Sequence, residues 1–173
     1  MVSTSTLLAV IVTFCISTII PIVVWIVYAV KNKGKGAFTA WLFGAAGFFV
    51  MQIVIRIPIM NTIAITAGFQ SFVENHYVLY YFVMAFTAGF FEVIGRYAVA
   101  RILAKNLTFE KGFAAGLGHG GIEAIIIIGM TYINNMLYIG MINSGAFDGI
   151  VEQTAALGVD TTSLLAIKDS LIN

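Results

Sequence analysis

An all-α, polytopic membrane helix bundle with at least four transmembrane helices is the fold class that this sequence predicts, and three observations predict it. Hydrophobic residues make up 60% of the 173 and charged residues only 10%, against about 45–50% and about 25% in soluble domains. The mean hydropathy is +0.99, and the apolar residues gather into four runs, each near or above the ~20 residues that cross a bilayer. The charge total, 9 Lys+Arg against 8 Asp+Glu, is close to neutral, so no nucleic-acid partner held through phosphates is expected.

Residues 7–30 form the first run. It is longer than the apolar core of a signal peptide and no basic segment precedes it, which marks a retained span. Pro21 predicts a bend in it, of a kind that neighbouring helices can cover. Residues 37–60 form the second run, interrupted by Gln52, Arg56 and Pro58, with Pro58 marking the helix end. Residues 77–97 form the third, carrying Glu92 and Arg96 near its end, and residues 113–142 the fourth, carrying His119 and Glu123. Residues 145–173 are less apolar and read as an external segment, in which the stretch from Asp160 to Ser163 caps a short helix from Leu164 onward. The whole of 1–173 reads as a single membrane domain. It stops without an obvious final anchor, so the front part of a longer protein is expected. Cys15 is the one cysteine, which removes a disulfide framework and a thiolate zinc cluster and leaves His, Asp and Glu as metal ligands.

The connecting segments alternate in sign. Lys31, Lys33 and Lys35 follow the first run, and Arg101, Lys105 and Lys111 follow the third; the opposite segments carry Lys168 with Glu74, Asp148, Glu152, Asp160 and Asp169. By the positive-inside rule the N-terminus lies outside and the basic loops are cytoplasmic. A multi-pass protein of the cell membrane, with the lipid bilayer as its first partner, is the expectation.

A charge retained inside a span costs about 2.5–3.5 kcal/mol on insertion scales, so it usually faces the bundle interior. At 1.5 Å per residue Glu92 falls about 22 Å along the third span, about 7–8 Å short of the cytoplasmic boundary. His119 falls about 9 Å and Glu123 about 15 Å from that same boundary on the fourth. Ala85, Gly89, Glu92 and Arg96 make one helical stripe, and Gly112, Gly116, Gly120 and Glu123, with His119 beside them, make another. Small-residue stripes let backbones approach closely, so the third and fourth spans are expected to meet along these faces, across a polar pocket. Arg56, at the other end of the second span, reads as a snorkelling residue. His76, 16 residues before Glu92, reads as interfacial.

One histidine and two carboxylates at one level are metal-ligand types. Catalytic zinc takes three protein ligands and an activated water, with a carboxylate nearby as general base. The segments Phe90-Phe91-Glu92-Val93-Ile94-Gly95-Arg96 and Gly116-Leu117-Gly118-His119-Gly120-Gly121-Ile122-Glu123 resemble the two central motifs of the YhfC family of intramembrane metalloproteases, itself related to the CAAX-processing, bacteriocin-immunity and PrsW proteases. The resemblance implies Zn2+ as cofactor and a membrane-embedded or membrane-associated peptide as substrate, hydrolysed near the cytoplasmic face. It makes Glu92 the motif carboxylate, as base or as ligand of the metal or its water, and Arg96 its orienting partner. His119 becomes a metal ligand, and Glu123 a ligand or a group just behind the ligands. The broader group pairs two glutamates where this chain has Phe91 and Glu92, and draws a further histidine from a later helix, whereas none follows His119. An ion- or proton-coupled transporter and a non-catalytic immunity or regulatory protein are the competing readings of the same groups.

Overall fold

Apolar segments satisfy their backbone in lipid by closing every hydrogen bond within a helix. Four helices among the described residues are long and apolar enough to cross a membrane: Thr4–Lys31, Ala37–Ala64, Tyr77–Asn106 and Phe109–Ser144. The computed structural model describes residues 1–172, and no strand occurs among them. Each of the four runs lies within one of these helices.

Pro58 does not end the second helix, which continues to Ala64. It follows a π-helical stretch, Phe49–Arg56, in which the Ile57 N–H reaches back to the Gln52 carbonyl. A proline ring clashes with the carbonyl four residues earlier in an α-helix, and the wider π turn makes room for it. Pro21 is accommodated in the same way behind the π-helical stretch Cys15–Ile19. A further helix, Ala67–Asn75, joins the second and third long helices, in a stretch that the apolar pattern leaves between spans. Thr66 caps it by accepting from the Phe69 N–H, and Phe69 packs edge-on against Tyr80.

The chain divides into two compact units, Met1–Pro21 with Ala124–Asn173, and Ile22–Glu123. In the first, Val10, Ile139 and Leu171 form a common core. The segment after Ser144 folds into two helices, Ala146–Ala156 and Thr162–Ile172. Gly145 makes the turn between the long helix and the first of them with φ +79°, a conformation open to glycine. Phe147 packs edge-on against Tyr138, and Lys168 pairs with Asp148.

Thr162–Ile172 starts two residues before the expected Leu164. The Asp160 carboxylate accepts from the Thr162 hydroxyl at 2.6 Å and from its N–H at 2.9 Å, and these bonds hold its pKa below the ordinary carboxylate value. A depressed folded-state pKa adds stability above the ordinary value of about 3.9 that is lost as pH falls through the folded value. Protection against hydrogen exchange at Leu165–Ile167, corrected for the intrinsic pH dependence of amide exchange, is therefore expected to fall below about pH 4, and Asp160→Ala should show that reduced protection already at pH 7.

In the second unit the helical half Ala37–Phe48 is the central element, with Ala37, Ala40, Gly44, Ala45 and Phe48 buried. It packs along Phe109–Glu123 and also against the third long helix, whereas the direct contact of third with fourth is slight. This corrects the expected pairing of small-residue stripes. The close approaches are Gly44 to Ala115, Gly118 to Trp41 and Gly47 to Gly95, while Gly89, Gly116 and Gly120 face open space. Glycines on the second helix, absent from the stripe argument, are what let it lie between the other two. The first and third connecting segments meet at one end of this unit, where Lys35 pairs with Glu110 at 2.9 Å and the Tyr28 hydroxyl donates to the Glu110 carbonyl at 3.1 Å.

Candidate metal centre

His119 is placed by its neighbour. The bare Cα of Gly118 lies against the Trp41 carbonyl, and this close approach of two backbones carries the next side chain into the interior. The imidazole is 4% exposed and stands edge-on to Phe48, ring centres 5.5 Å apart at 82°. Among the described residues neither Nδ1 nor Nε2 has a hydrogen-bond partner, although both are buried. A buried polar atom without a partner costs about 1–3 kcal/mol. An imidazole with both nitrogens in that state is therefore an arrangement that calls for a ligand.

Glu123 follows four residues later on the same helical face, and Glu92 comes from the third long helix. One ligand atom from each of Glu92, His119 and Glu123 lies within 4.8 Å of the others. The donor set, one imidazole and two carboxylates around a partnerless histidine, fits a divalent metal of the zinc type.

The Glu92 carboxylate is held from two sides. Oε2 accepts from Arg96 Nη2 at 2.9 Å in an i,i+4 ion pair whose arginine side chain is 56% exposed, and Oε1 accepts from Gln52 Nε2 at 3.2 Å. Arg56 does not snorkel. It donates to the Met84 carbonyl at 2.8 Å, to the Thr87 hydroxyl at 3.3 Å and to Gln52 Oε1 at 3.4 Å, all within the protein. Gln52 is the residue that the sequence argument passed over. Its signal was available: an amide and a guanidinium four residues apart inside an apolar run, where each needs a partner. His76 takes no part, being exposed and tilted at 45° to the Phe72 ring, 5.6 Å away.

Beside this cluster is a cavity of about 460 Å³. Arg96 and His119 are its ionisable lining groups, Val99 and Leu103 supply one apolar wall, and Gly112 and Gly116 lie on the opposite helix. The expected polar pocket is thus a mostly apolar cleft with its polar groups at one place.

Comparison with known proteins points to one family. The family model described as YhfC intramembrane metalloprotease matches residues 16–169. The uncharacterized membrane protein YhfC of Bacillus subtilis (strain 168) is 31% identical over 155 residues, which cover 89% of this chain and 57% of that protein. The chain therefore spans a little over half the length of this curated relative. No solved structure matches it. With the family match running through both motifs that carry the clustered residues, the chain belongs to the YhfC intramembrane metalloprotease family.

Proposed function

We propose that this chain carries the metal site of a zinc-dependent intramembrane peptidase, with Glu92, His119 and Glu123 as ligands. The observation that carries the reading is the buried imidazole with two partnerless nitrogens beside two carboxylates. Zinc bound there would lower the pKa of a water to about 7 and polarise a peptide carbonyl. His119 and Glu92 are the fixed groups, one by burial and the other by Gln52 and Arg96. Glu123 receives neither of those donors; with one carboxylate oxygen serving as ligand, the other would remain off the metal and is assigned to accept a proton from the attacking water and deliver it to the leaving amine. Arg96, with one guanidinium nitrogen on Glu92 and the rest of its fork toward the cleft, is assigned to hold Glu92 and to steady negative charge that develops on the carbonyl oxygen.

The substrate in this reading is an apolar peptide segment lying in the cleft, where the absent side chains of Gly112 and Gly116 leave room for its backbone. The meeting of the two lysine- and arginine-bearing connections at one end supports a cytoplasmic location for that end and an external N-terminus.

The test uses the purified chain in proteoliposomes with a quenched fluorescent Leu/Ala-rich peptide. Zinc-dependent cleavage is expected, and Glu92→Gln should lower it by at least ~10²-fold, the scale of a lost acid–base or ligand group. Metal bound in stoichiometric amount with cleavage unchanged in Glu92→Gln would remove Glu92 from the reaction. Failure of the wild-type chain to bind zinc would end the metalloprotease assignment of these residues.

A further inference from the structure

Gln52 is one of the buried polar residues of the second unit, 4% exposed; the reaction described above uses it only through its bond to Glu92 and does not use Arg56 at all. We propose that these two are positioning residues, forming a directional hydrogen-bond relay from Arg56 through Gln52 to Glu92 that fixes the plane of the Glu92 carboxylate toward His119. The purpose assigned to the relay rests on the metal-site reading; its existence does not.

Its direction follows from donor and acceptor chemistry. A guanidinium only donates, and an ionised carboxylate only accepts. An amide placed between them must turn its oxygen to the arginine and its nitrogen to the glutamate. Gln52 does so: Oε1 accepts from Arg56 Nη1 at 3.4 Å, while Nε2 donates to Glu92 Oε1 at 3.2 Å and to the Ala88 carbonyl at 2.9 Å. Turning the amide over would set its N–H groups against Arg56 and its oxygen against both Ala88 and Glu92, so one orientation is selected. Arg56 is itself fixed by Met84 and Thr87, and the Thr87 hydroxyl donates to the Met84 carbonyl, leaving its lone pairs for the guanidinium. The relay begins on the backbone of the third long helix and returns to a side chain of the same helix two turns later.

Arg96 alone would fix Glu92 poorly, because its side chain is more than half exposed. With Oε2 on Arg96 and Oε1 on Gln52, rotation of the carboxylate is stopped from two directions and each oxygen keeps a lone pair free. The π-helical stretch Phe49–Arg56 contains both relay residues, and such stretches recur where a helix re-aims side chains at functional sites.

The experiment measures Zn2+ affinity and the Co2+ absorption spectrum of the full chain in nanodiscs. Gln52→Met is expected to weaken zinc by ~10–100-fold, the usual cost of losing a group that orients a ligand, and to change the Co2+ band intensities. The side chain lost in Arg56→Met touches no ligand and reaches Glu92 either through Gln52 or through Met84 and Thr87 on the third helix; only the first route makes its loss silent once Gln52 is gone. The double variant should bind no more weakly than Gln52→Met alone. Additive losses, or wild-type affinity and spectrum in Gln52→Met, overturn the relay. Arg56→Lys retains the cation without the fork, and an intermediate loss is expected from it if the methionine variants fail to fold. If the wild-type chain binds neither metal, the metal reading falls and the relay is judged separately. Unfolding midpoints for Gln52→Met, Glu92→Gln and the pair, measured without metal, should then be non-additive, and additivity overturns it.

Discussion

Replacing His119 with leucine is expected to leave the metal-free protein as stable as the wild type or more so, and to abolish stabilisation by zinc. The two halves of this result have one cause. In the metal-free chain the imidazole buries two polar atoms with no partner, at about 1–3 kcal/mol for each group left unsatisfied. An apolar side chain of similar size removes that cost while keeping a surface against Phe48. Zinc at a hundred times its dissociation constant should stabilise the wild type by about 2.7 kcal/mol, and the variant by nothing if His119 is an essential ligand. The order of the two proteins therefore reverses between zinc and chelator. Trp25 and Trp41, whose rings lie 4.5 Å apart in the same unit, give the fluorescence signal for the unfolding midpoint. An ordinary core residue behaves otherwise: the leucine variant would be less stable with and without zinc, and the buried imidazole would need another explanation.

The four spans and the level of the cluster were legible because both depend on counting along a helix. A rise of 1.5 Å per residue is nearly independent of context, so Glu92 and His119 could be set at one depth from their distances to the basic ends. Facing was less legible. The stripe through Ala85 and Gly89 assumed that the third helix packs on the fourth, but those two residues are exposed, and Thr87, Ala88 and Gly95 face the second helix instead. Periodicity gives the faces of one helix and says nothing of which neighbour covers them. Pro58 reads as a helix end for a related reason. A proline ends an α-helix, and the π-helical stretch that accommodates it has no pattern of its own in the sequence. Arg56 reads as interfacial from its place near the end of the second span. Its partners, Met84 and Thr87, are 28 and 31 residues away along the chain, and nothing local marks them.

Gly118→Ala is expected to be among the most destabilising single-methyl changes in the second unit, while Gly116→Ala, two residues away, should be neutral or slightly stabilising. A Cβ on Gly118 would overlap the Trp41 carbonyl oxygen and come within 2.9 Å of its carbon and 3.0 Å of the Ala45 nitrogen. All three are backbone atoms, so no rotamer change relieves the overlap and the two helices must separate. Overpacking that side chains can absorb costs about 1–3 kcal/mol. A rigid backbone clash belongs at or above the upper end. At Gly116 the added methyl meets nothing within 4 Å, and alanine is better than glycine in a helix by up to about 1 kcal/mol. The separation also lifts His119 away from Phe48, so zinc affinity should fall in Gly118→Ala together with the unfolding midpoint, and remain at the wild-type value in Gly116→Ala. Equal midpoints for the two variants would mean that the second and fourth helices do not cross at Gly118. The mechanism that buries His119 would then have to be sought elsewhere in the unit.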